Sequence, residues 1–127
     1  MRKPWSLAGR EQFTAVFRRG RPYSGRLVVV RVLSTGRETS RLGLVVGKKV
    51  GGAVERNRAK RLIREAVNIR TLTTGWDVVV IARPGLQSAK YRLVQQELQE
   101  LLLKAGIAQG GRVTGGRPDS RLSEDDL

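Results

Sequence analysis

The sequence predicts an α+β sandwich, a small mixed sheet with helices mainly on one face. Three observations carry this. Helix-period apolar stripes occur near residues 13–17, 59–69 and 91–105. Strand-like runs fall between them, at 26–33, 41–46 and 76–82. Turn-forming clusters rich in Gly, Ser, Thr and Pro separate the runs. The predicted order is helix, strand, strand, helix, strand, helix, with an extra short strand near Pro22.

Residues 1–8 read as an arm, mobile over 1–5, with Trp5 as an anchor. Ser6 is placed to cap a helix running to Arg19, with Gly20 at its end. Phe13, Val16 and Phe17 form the apolar stripe of that helix, and Arg10, Arg18 and Arg19 point elsewhere. Residues 20–25 (GRPYSG) are turn chemistry. The strand over 26–33 puts Val28, Val30 and Val32 on one face, and Arg31 interrupts the other. Residues 34–40 (STGRETS) read as a polar hairpin loop, which makes 41–46 (RLGLVV) the antiparallel partner of the preceding strand.

The stretch 48–64 (KKVGGAVERNRAKRLIR) holds seven basic residues and one acid, Glu55. Gly51 and Gly52 allow a tight turn, and their N–H groups are candidates for holding an anion. On a helix over 56–70, Ala59, Leu62, Ile63, Ala66, Val67 and Ile69 share one face. Arg56, Asn57, Lys60, Arg61, Arg64 and Asn68 share the other, with Arg58 at the border beside Glu65. Arg56, Lys60 and Arg64 occupy successive turns at a pitch of about 5.4 Å. Like charges at this spacing repel by a few tenths of a kcal/mol per pair. A nucleic-acid backbone supplies the negative charge that offsets this cost.

Residues 71–75 (TLTTG) stop the helix. The all-apolar run at 76–82 (WDVVVIA) reads as a buried strand, and Asp77 at its start is expected to pair with an arginine. Arg83-Pro84-Gly85 is a turn. Ser88 is placed to cap a last helix over 89–105, whose stripe is Tyr91, Val94, Leu98, Leu101, Leu102 and Ala105. Residues 1–107 form one domain, and the Gly-rich polar tail 108–127 is expected to be disordered.

The chain carries 25 Lys plus Arg against 11 Asp plus Glu. Four of the acids lie in the tail, so residues 1–107 hold 22 basic against 7 acidic groups, a balance of +15. Such a field attracts polyanions without choosing among them. There is no histidine and no cysteine, which removes His-based acid–base chemistry, disulfides and the usual zinc ligand sets. No metal site is expected in the chain. No apolar run approaches the roughly 18 residues of a spanning helix, and the first residues lack a secretory apolar region. A cytoplasmic protein with no membrane partner is expected.

The blocks GKKVGGAVERNRAKRLIREA (47–66), REQFTAVFRRG (10–20) and WDVVVIARPG (76–85) together resemble the bacterial ribonuclease P protein component. The resemblance spans roughly residues 5–105. It implies a two-layer αβββαβα sandwich of a ribosomal-protein-domain type, with the basic helix in a left-handed βαβ crossover, a hand that parallel connections otherwise avoid in about 98% of cases. It also implies that catalysis resides in a partner RNA with Mg²⁺ bound by that RNA, and that this chain has no catalytic residue. Lys48, Lys49, Arg56, Asn57, Arg58, Lys60, Arg61 and Arg64 would contact the catalytic RNA. Phe13 and Phe17 would line a cleft for the single-stranded 5′ leader of precursor tRNA, one protein serving one RNA. The family has an aromatic near Arg31; arginine there suits phosphate contact or guanidinium stacking. The alternatives are a structural RNA-binding protein of ribosomal type and, more remotely, a DNA-binding protein. The latter needs a helix just before the basic one, where a strand is predicted.

Overall fold

The computed structural model describes residues 6–67 and 72–107. Along the chain lie α1 (Gly9–Arg19), β1 (Arg21–Ser24), β2 (Val28–Ser34), β3 (Arg41–Val45), α2 (Ala53–Ala66), β4 (Trp76–Ala82) and α3 (Tyr91–Lys104). This is the αβββαβα order, and β1 is the short strand expected near Pro22. The arm expected at 1–5 with Trp5, the tail 108–127, and Asn68, Ile69, Arg70 and Thr71 lie outside the described residues.

The sheet order is β1-β2-β4-β3. The expected β2–β3 hairpin does not form. β4 inserts between them, antiparallel to β2 and parallel to β3. The reason is the composition of β4. Val78, Val79 and Val80 are all fully buried, which needs a neighbour on each edge and cover on each face. Residues 34–40 are therefore no hairpin loop but a crossing over the end of β4. The Thr35 N–H donates to the Gly75 carbonyl at 2.7 Å. The Ser40 hydroxyl donates to the Thr73 carbonyl at 2.6 Å and accepts from the Trp76 N–H at 3.1 Å.

The two faces of the sheet are covered by different helices. Val28, Val30 and Val32 of β2 join Val78 and Val80 of β4 beneath α2 and α3, whose Ile63, Val94 and Leu98 complete the main core. Burying each such side chain contributes about 1.5–3 kcal/mol. Val79 points to the other face, where Val16 of α1 and Leu7 form a smaller cluster with Phe13, Leu33, Val45 and Ile81.

Several element ends differ from expectation. Residues 6–8 are not an arm: Leu7 is 2% exposed and its N–H donates to the Leu42 carbonyl at 3.0 Å. Ser6 is drawn into a bridge with Leu42 and so caps nothing. α1 begins after Ala8, whose N–H donates to Gln12 Oε1 at 2.7 Å. α2 begins three residues before Arg56 and ends at Ala66, with Val67 already extended. Ser88 belongs to a 3-10 turn (Leu86–Ser88), and α3 starts at Tyr91. Tyr91 is off the buried stripe; its hydroxyl donates to the Glu65 carbonyl at 2.8 Å.

Two carboxylates lock distant segments. Asp77 pairs with an arginine, as expected: Arg41 donates through Nε at 2.9 Å and through Nη2 at 2.7 Å. The hydrogen bond to Asp77 raises the Arg41 pKa above its ordinary value. Glu97 of α3 accepts the N–H groups of Arg26, Leu27 and Val28 at 3.2, 2.7 and 2.9 Å. Any Cβ at Gly25 would overlap the Glu97 carboxylate. Replacing Glu97 with alanine strands those donors, and Glu97→Ala should lower stability by about 2 kcal/mol in urea unfolding.

Candidate nucleic-acid interface

A 3-10 turn (Lys48–Val50) leads from β3 into α2 and presents Lys48 and Lys49 to solvent. The expected anion-holding glycine turn is not available. The Gly51 N–H donates to the Lys48 carbonyl at 3.1 Å, and the Gly52 N–H to Glu55 Oε1 at 3.0 Å. Gly51 has φ +142°, and its missing Cβ leaves room for the Glu55 stem. The one acid in the basic stretch is thus folded back onto the positive end of its own helix, where the dipole favours it.

The helix divides as its periodicity requires. Ala59, Leu62 and Ile63 are buried. Arg56 and Lys60 are half-buried, and Asn57, Arg58, Arg61 and Arg64 are exposed. One unbroken helix carries Arg56, Lys60 and Arg64, so they stand on one side. Among the described residues, Lys48, Lys49, Arg56, Asn57, Lys60, Arg61 and Arg64 make no hydrogen bond or ion pair through their side chains. Arg58 is the exception: its Nε donates to the Gln87 carbonyl at 2.7 Å.

The aromatic pair lies across the sheet. Register aligns Pro22, Arg31, Val79 and Gly43 in one row over the four strands, and α1 crosses that row. Phe13 sits over Gly43, where a Cβ would come within 2.6 Å of two ring carbons. Phe17 is 40% exposed. Arg31 reaches its end of α1, with Nη2 donating to the Phe17 carbonyl at 2.8 Å and the Gly20 carbonyl at 3.2 Å. Arg31 thus lies against Phe17, while Phe13 packs over Gly43, a seat the sequence reading missed. The signal was present, since a glycine inside a strand marks close approach.

The two groups of residues also meet. A groove of about 350 Å³ at β3 is lined by Phe13 of α1, Gly43 and Leu44 of β3, and Lys60 and Arg64 of α2. An α+β body with a cationic helix unpaired among the described residues and a groove that includes an aromatic ring is the build of a protein that grips nucleic-acid backbone and shelters unpaired bases.

The chain belongs to the Ribonuclease P family, whose model matches residues 1–106. It is 43% identical over 107 residues to the ribonuclease P protein component of Dehalococcoides mccartyi strain CBDB1, covering 84% of this chain and 89% of that one. It is 36% identical over 124 residues to that of Brevibacillus brevis, covering 95% and 98%. Among solved structures, the Staphylococcus aureus RNase P protein superposes with a TM-score of 0.75 at 29% identity, covering 84% of this chain and 99% of that one. The Thermotoga maritima RNase P protein gives 0.69 at 34% identity, covering 76% and 94%. Family membership makes the chain a protein subunit of the tRNA-processing endoribonuclease, associated with the ribonuclease P RNA. It gives no support to the ribosomal-type alternative.

Arg58 and Arg61 should behave differently. Arg61→Ala removes a free cation and should lower RNA affinity with the salt slope falling by about 1, at an unchanged melting temperature. Arg58→Ala also removes the tie to Gln87 and should lower the melting temperature as well, by about 2–6 °C for a loss near 1 kcal/mol. Filter binding and thermal scans check both.

Proposed function

We propose that α2 and the turn before it hold the backbone of the catalytic RNA, and that the cleft beside α1 holds the 5′ leader of precursor tRNA. The contacts to the catalytic RNA come from Lys48, Lys49, Arg56, Asn57, Arg58, Lys60, Arg61 and Arg64. Phe13 and Phe17 offer ring faces to unpaired leader bases, a sequence-tolerant interaction, and Arg31 stands beside them. One protein serves one RNA in the cytoplasm. Mg²⁺ is held by the RNA, which supplies the cleaving chemistry; this chain binds and orients.

The observation that carries the reading is the row of cations on one helix, with which no carboxylate among the described residues pairs. The absence of histidine and cysteine agrees with a protein that leaves acid–base work to its partner.

With about five or six phosphate contacts, log affinity against log salt should fall with a slope of roughly −4 to −5. A slope near −1 in a salt titration removes the electrostatic basis. The processing role is tested by adding the purified chain to a ribonuclease P RNA and precursor tRNA at low Mg²⁺. Leader cleavage should be stimulated, and an unchanged rate defeats the proposal.

A further inference from the structure

We infer that Arg31 serves the leader cleft as a clamp on the C-terminal end of α1 that fixes the ring of Phe17, rather than as a phosphate contact. This rests on the cleft reading above and gives Arg31 a different role within it.

The geometry is specific. The last carbonyls of a helix have no partner within it and carry the negative end of the helix dipole. α1 ends at Arg19, so the Phe17 carbonyl is one of these, and Gly20 is the cap residue. Arg31 Nη2 donates to both the Phe17 and Gly20 carbonyls. The same guanidinium lies over the Phe17 ring, with Cζ 5.6 Å from the ring centroid, within range of a cation–π contact. One planar group therefore grips the backbone and the side chain of a single residue. Nε is buried and has no protein partner, while Nη2 is committed to the helix end. A cation held this way has its field spent on carbonyls and the π face.

The neighbouring row explains why position matters. Arg31 and Gly43 flank Val79 in the sheet row, with Phe17 over the first and Phe13 over the second. Gly43 sets the depth of one ring by having no side chain, and Arg31 sets the other by having a long one. The two rings stand four residues apart on α1, one turn of helix, and Arg31 keeps that end of the helix from lifting off β2.

A phosphate contact and a clamp respond differently to lysine. Lysine keeps the charge but loses the planar fork that serves two carbonyls and a ring together. The experiment compares binding of precursor tRNA with and without its leader to the holoenzyme, for wild type, Arg31→Lys, Arg31→Met, Phe17→Ala and the double variant Arg31→Met/Phe17→Ala. A clamp predicts that both Arg31 variants lose about threefold to tenfold of the leader-dependent affinity, with the leader's salt slope unchanged. It also predicts that Arg31→Met adds nothing once Phe17 is alanine. The clamp is overturned if Arg31→Lys binds like wild type while Arg31→Met loses about 0.7 of salt slope, or if the two losses are additive. It is likewise overturned if the Arg31 variants weaken binding of the catalytic RNA alone to the same extent, which would mark support of the whole fold. If Phe17→Ala leaves leader-dependent affinity untouched, the cleft reading itself fails, whatever Arg31 does.

Discussion

The constraint on which the molecule depends is the burial of β4 on both faces. A strand reading Val-Val-Val at its centre cannot lie at an edge or show one face to water. It takes the middle of the sheet, pairs with β2 on one side and β3 on the other, and obliges helices to cover both faces. The placement of α2 follows. To bring β3 and β4 together in parallel, the chain between them must cross from one end of the sheet to the other, and α2 is that crossing. The basic helix is therefore rigid because it is a structural connector, anchored by Ala59, Leu62 and Ile63.

Much of this was legible in the sequence. The alternation in β2 assigned Val28, Val30 and Val32 inward and Arg31 outward, and the periodicity of α2 separated oily from cationic positions. Each of these signals is local. What could not be read depends on contacts between distant residues. Pairing β2 with β3 was the shortest connection, and nothing within either strand says that a third will insert between them. Leu7 sits in a short arm with no helix or strand period to mark it, and only the edge of β3 makes it a core residue. Glu97 looks like any solvent-facing acid on an amphipathic helix until the β1–β2 turn is brought beneath it.

The same distinction applies to the cationic face. Charge density and spacing showed where the cations are, and the structure shows how they are left free. The glycine turn looked suited to an anion, yet the chain satisfies it internally with Glu55. Arg58 stood at the border of the basic face beside Glu65, and it is the Gln87 carbonyl that partly occupies it. At the rim of β3, Lys60 and Arg64 share a groove with Phe13, so the surfaces assigned to two RNA segments are continuous.

An unneutralised ridge also makes the chain's thermodynamics depend on its partner. Mutual repulsion among the α2 cations works against the folded protein when it is alone, and a bound polyanion removes that penalty while adding its own linkage stabilisation. Dissolved salt then acts in opposite directions on the two forms, screening the lone protein into greater stability while loosening the assembled particle. The free subunit is then the form more easily opened to proteolysis.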